Sequence, residues 1–166
     1  MTRQFGMCAA AAFTCIAVMS MSAARAQTAA PVGSPQSEVA AVQTVIEGLM
    51  EALNAADVER FSRFFAPDAT MFFPLAPLFL RLENKDQITK VFTVFFESVR
   101  RGKTGPQYMN LVPQDLRIQI WGSTAVVTFH FRGPDLVSRR TLVLRRDAGK
   151  WLIVHMHASG IEVSRE

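Results

Sequence analysis

The chain is poor in the residues that most often carry chemistry: of its 166 residues, two are cysteine, three histidine and one tyrosine. Both cysteines, Cys8 and Cys15, fall within the first 26 residues, so a segment removed on export takes all thiol chemistry and any disulfide with it. The remaining fold must then hold by packing alone. Charge is also sparse, at 19% of residues. Without Arg3 and Arg25, the 18 basic residues fall to 16 against 14 acidic ones, a net of +2. This near-neutral balance argues against nucleic acid as a partner. The pairs Arg100-Arg101, Arg139-Arg140 and Arg145-Arg146 sit at predicted element ends, with no interleaved aromatics on which bases could stack.

What is present divides the chain in three. Residues 1–26 combine a positive start at Arg3, the apolar stretch FGMCAAAAFTCIAVM and the small-x-small pattern Ala24-Arg25-Ala26. Together these predict a secretory signal peptide, and hence a periplasmic or secreted product with no membrane association after cleavage. Ala12-Phe13-Thr14 before Cys15 is not the flank of a lipoprotein cysteine. Residues 27–36, QTAAPVGSPQ, read as a linker, and residues 37–163 as the folded domain.

In that domain Val39, Val42, Ile46, Leu49 and Leu53 recur at steps of three and four, predicting a long helix capped by Ser37. Asp57 caps a short second helix that buries Val58, Phe61, Phe64 and Phe65. The stretch APDAT reads as a turn in which Asp68 caps, and MFF as a short strand ended by Pro74. Ile88, Val91, Phe92, Phe95 and Val99 mark a third helix, stopped at Gly102. The apolar period then changes from 3.6 to 2, and strands are expected over 115–121, 123–132, 136–146 and 150–158, joined by hairpin signals. The order α-α-β-α-β-β-β-β predicts an α+β domain with a curved antiparallel sheet wrapped around three helices.

The element order, with ALNAADVERFSRFFAPDAT after the first helix and RRDAGKWLIVHMHASG at the end, resembles the cone-shaped superfamily of nuclear transport factor 2, SnoaL and ketosteroid isomerase. The last stretch is similar in particular to the association domain of calcium/calmodulin-dependent protein kinase II. The superfamily is functionally mixed, so this resemblance implies a fold before it implies an activity. Residue by residue, the ketosteroid isomerase positions are replaced. The carboxylate base corresponds to Phe73, the oxyanion-stabilising tyrosine to Leu49 and the protonated aspartate to Thr141. Phenylalanine takes no proton, so steroid-type enolisation is not expected. Of three pocket arginines in the kinase association domains, one matches Arg132, one falls on Thr141 beside Arg140, and one on Ala158.

The stretch WLIVHMHASG places His155 and His157 on one face of a strand, about 6.5–7 Å apart. With His130 they make a conceivable three-histidine metal site, but no acidic ligand or second-shell partner accompanies them. Leu152, Val154, Met156 and Ala158 form the wholly apolar side expected to face inward. Trp151, Ile153, Phe129 and Phe131 are then expected on the outer face, as the apolar part of a homodimer interface with His155 and His157 in it. His130 and Arg132 are expected to face the cone. Tyr108 is placed in a loop, either closing the pocket mouth or exposed.

The expected function is a small-molecule-binding or self-associating module without a cofactor, taking an apolar or acidic ligand near Arg132, Thr141, His130, Phe73, Leu49 and Met156. The alternative is a cofactor-independent isomerase, cyclase or dehydratase, with His130 as base and Thr141 and Arg132 stabilising an enolate-like oxygen.

Overall fold

The computed structural model describes residues 34–73 and 80–163. The expected signal peptide with both cysteines, linker residues 27–33 and Pro74 lie outside the described residues. Helix α1 spans Pro35–Asn54, starting earlier than expected because Ser34, not Ser37, is its cap: the Ser34 hydroxyl accepts from the Ser37 amide, and Pro35 takes the first turn. Part of the expected linker is therefore helix. Asp57 caps α2, Val58–Ser62, as its position before Val58 implies. Strand β1 is Phe65–Phe72, so Phe65 and APDAT belong to a strand rather than to a helix and a turn. Asp68 there pairs with Arg145 at 3.1 Å instead of capping. Helix α3, Lys85–Arg100, is capped by Asn84.

Strands β2, Gln114–Trp121, β3, Thr124–Arg132, β4, Leu136–Asp147, and β5, Lys150–Glu162, form consecutive antiparallel pairs. The sheet order is β1-β5-β4-β3-β2. One pairing departs from an all-antiparallel sheet: β1 runs parallel to β5. No hairpin joins these two strands. The chain leaves β1 through α3 and returns at the far edge, so its direction is set by tertiary packing.

The helices cover one face of the sheet. Phe61 stacks on Phe92 at 4.2 Å between ring centroids and meets Phe96 edge-on at 5.6 Å. Val127, Phe129, Phe131, Leu142 and Leu144 complete this core from the sheet. Phe129 and Phe131 thus lie inside rather than on an outer patch, and His130 points away from them. The physical reason is direct: β3 alternates an apolar face with a polar one, and the apolar face is the one that gains by leaving water.

Strand β5 changes phase part of the way along. Leu144 is opposite Ile153 and Val143 is opposite His155, so Val154 is an extra residue in the ladder. Trp151 and Ile153 before this bulge, and Met156 and Ala158 after it, are all buried. Leu152 and Val154 are not, contrary to a strict alternation. Trp151 is further held by Glu38 of α1, whose carboxylate accepts from the indole Nε1 at 3.1 Å and from Arg146.

Candidate functional site

Between the inner face of the sheet and the segment before β2 lies a cavity of about 590 Å³, within the range of small-molecule sites. One of its walls is positioned by Asn54, the last residue of α1. The Asn54 carbonyl accepts from the amides of Tyr108 and Met109 at 2.8 and 3.1 Å. Its side chain donates to the Leu111 carbonyl at 3.1 Å and accepts from the Leu111 amide at 2.7 Å. These four bonds tie the 108–111 segment to the helix end, where carbonyls otherwise lack partners. The single sequence signal for this clamp is an amide residue at a helix terminus. Tyr108 packs against the core beside this segment rather than lining the cavity.

Apolar walls come from Phe95, Met109, Leu111, Phe131 and Leu136, and polar groups from Asn110, Gln114, Ser138, Arg132 and Arg140. Arg140 is the distinctive one. Its guanidinium donates to the Ser138 hydroxyl and to the Arg139 carbonyl, both at 2.8 Å, and stands 5.3 Å over the Phe131 ring. No described carboxylate pairs with it. Desolvation holds its pKa down to about 10, so it stays charged at neutral pH at a cost to the fold. The lining holds no Asp, Glu, His, Lys, Tyr or Cys among the described residues. These described residues can bind and orient an anion through Arg140 and Arg132.

The expected site residues are not brought together. Arg132, at the end of β3, lines the rim of this cavity. His130 and Thr141 face the other side of the sheet: Thr128 is opposite Thr141, and Thr141 is opposite His157. An enolisation through His130, Thr141 and Arg132 therefore lacks the common cavity that it needs. Leu49 and Met156 are core residues, and Phe73 packs on Phe92 and Phe95 at 5.0 and 5.9 Å. The cone arginine is Arg140, one position from the expected Thr141; a one-residue offset on a strand exchanges the two faces.

His155 and His157 do share a face, with Phe72 flanking both rings at 6.0 and 5.8 Å. His130 is on that face too, but β4 separates its strand from theirs, a lateral gap of about 9–10 Å. A single zinc ion needs ligand nitrogens about 2 Å from it. Among the described residues no three His, Cys, Asp or Glu side chains converge to hold a metal.

Comparison with known proteins agrees with this architecture. An NTF2-like protein of unknown function from Pseudomonas putida KT2440 superposes with a TM-score of 0.64 at 23% identity, over 76% of this chain and 89% of that one. A dehydratase candidate of the NTF2-like family from Streptomyces avermitilis gives 0.64 at 18%, over 77% and 99%. The CaMKII hub of S. rosetta gives 0.57 at 24%, over 80% and 100%. No curated protein sequence matches the chain. Residues 42–163 match the SnoaL-like domain, and the chain belongs to that family, on the NTF2-like fold.

Proposed function

We propose that the domain binds a small molecule with an apolar body and a carboxylate, the carboxylate on Arg140 and the body against Phe95, Phe131, Leu111 and Leu136. The observation that carries this reading is the desolvated Arg140 guanidinium, without an acidic partner among the described residues, in a cavity whose remaining walls are apolar or neutral but for Arg132 at the rim. Such a charge is costly until an anion supplies the missing half of the pair. Arg132 at the rim adds a second positive charge along the entry path. The protein acts as a binding module, exported through its apolar leader; cell fractionation and N-terminal sequencing of the mature chain test the export. A thermal-shift screen of carboxylates and neutral apolar compounds tests the ligand class. Carboxylates are expected to raise the melting temperature of the wild type and not of Arg140→Gln. A screen in which neither class shifts it overturns the reading.

Self-association is the second reading. It is favoured by the similarity to a CaMKII hub and by two exposed aromatics on the outer sheet face, Phe72 and Trp121, the latter 59% exposed. Sedimentation at neutral pH decides it, with a monomer as the adverse result.

A further inference from the structure

The outer face of the sheet carries a second concavity, of about 420 Å³, lined by Arg139, Thr141, His155, His157 and Ser159. Strand register creates it. Arg139 is opposite Ser159, Thr141 opposite His157, and Val143 opposite His155. Directly opposed residues on adjacent strands hold their Cβ atoms about 4.5–5.5 Å apart, so these side chains converge. Among the described residues every lining group is a hydrogen-bond donor or a potential cation, and none is an acid. Arg139 takes part in none of the ion pairs formed by the described residues.

The surroundings are positive as well. Arg81 adds its charge near His155, while its own carboxylate partner, Glu83, is turned to it at 3.1 Å. Of the other acids on β1, β4 and β5, Asp68 and Asp147 are both held by Arg145, and Glu162 stands at the far end of β5 opposite Leu136; on β3, His130 is opposite Arg139. Thr70 Oγ1 lies 2.8 Å from His155 Nδ1. When that hydroxyl donates to Nδ1, the ring proton sits on Nε2, on the side away from Thr70. Phe72 packs against both imidazoles and limits their rotation. His155 is held below the usual imidazole range by desolvation first, then by the neighbouring His157 and Arg81.

We propose that this groove is an oxyanion site for a dianion of the phosphate or sulfate class, bound by the Arg139 guanidinium, the Thr141 and Ser159 hydroxyls and the imidazole N–H groups of His155 and His157. A monocarboxylate is satisfied by one guanidinium, as in the cone. Donors arriving from two strands around a small centre instead suit a compact oxyanion with several acceptor oxygens. Binding takes up protons, because the dianion favours the imidazolium forms, so affinity rises as pH falls through the imidazole range. The site lies on the opposite face from the cone and is independent of it.

Calorimetric titration of the full chain with sulfate, dianionic across the whole range, at about pH 6 and pH 8 tests this, with histidine ring signals followed by NMR. Binding is expected to be tighter at the lower pH and to shift the His155 and His157 signals. Arg139→Gln should weaken it about tenfold, and Arg139→Lys less. His155→Gln should reduce the pH dependence, and Arg140→Gln should leave binding unchanged. A parallel titration with inorganic phosphate and with glycerol phosphate distinguishes a free anion from a phosphate monoester; either order of affinity supports the site. Absence of binding by all three, equal binding by Arg139→Gln and wild type, or loss of binding in Arg140→Gln overturns it. The last outcome would place the anion in the cone.

Discussion

Arg139 and Arg140 are neighbours in sequence and opposites in setting. Arg140 points into the cone, half-buried over the Phe131 ring, where desolvation lowers its pKa to about 10. Arg139 points out, exposed, among hydroxyls and imidazoles. The same side chain is a strained charge on one face of the sheet and an ordinary solvated one on the other. On the two proposals made above, the sheet would separate two anion chemistries by a single peptide unit: a partly desolvated pocket for an apolar acid, and an exposed groove for a compact dianion.

The contrast between the faces can be broken most sharply at Phe129 and Thr128. Phe129→Ala empties part of the inner core and should cost about 3–5 kcal/mol, whereas Thr128→Ala on the outer face should stay within about 0.5 kcal/mol. Urea denaturation of both variants checks this, and similar losses would mean that the faces are wrongly assigned. Glu38→Ala should cost about 1–3 kcal/mol by leaving Trp151 Nε1 and the Arg146 guanidinium without their acceptor. Glu38→Gln, which keeps an acceptor, should recover part of this in the same assay.

The arginines supply a test whose sign matters more than its size. Arg140→Met removes a desolvated charge and should stabilise the ligand-free protein by about 1–2 kcal/mol while abolishing carboxylate binding. Arg139→Met should be close to neutral for stability. For Arg140 the folded pKa lies below the ordinary guanidinium range, so the wild type should gain stability as pH rises from about 10 towards that range. Equal stability of Arg140→Met and wild type at neutral pH would remove the strain on which the binding proposal rests.

The smallest effect is expected at His155. Its folded pKa is depressed below 6.5, so the folded state resists protonation. Stability is complete above the unfolded pKa and declines as pH falls through 6.5 towards the folded value. In anion-free buffer the melting temperature should drop over that window, His155→Asn should flatten the drop, and sulfate should offset it. A drop that persists unchanged in His155→Asn would assign it to other groups.

Much of the fold was legible. The three-and-four spacing from Val42 to Leu53, the Asp57 cap and the change of apolar period after α3 locate the helices and hairpins within a few residues. The phenylalanines of β3 also announce their own face: Val127, Phe129 and Phe131 alternate with Thr128, His130 and Arg132. Strict alternation would send Arg132 to the His130 face, yet at the end of β3 it reaches the cavity rim, as the resemblance to pocket arginines of related proteins implies, whereas His130 does not. The candidate site was less legible. Arg140 could not be told from Arg139 by type, and Asn54 holds the 108–111 wall of the cavity through bonds to residues 54 or more positions away along the chain.

By itself the sequence determined where the chain turns, caps and changes period, because those features depend on residues within a few positions of one another. The tertiary structure alone decided the parallel pairing of β1 with β5, the extra residue at Val154 and the face on which each arginine and histidine stands. Face is a property of register between strands distant in sequence, and one inserted residue reverses it, whereas the amino-acid types remain the same.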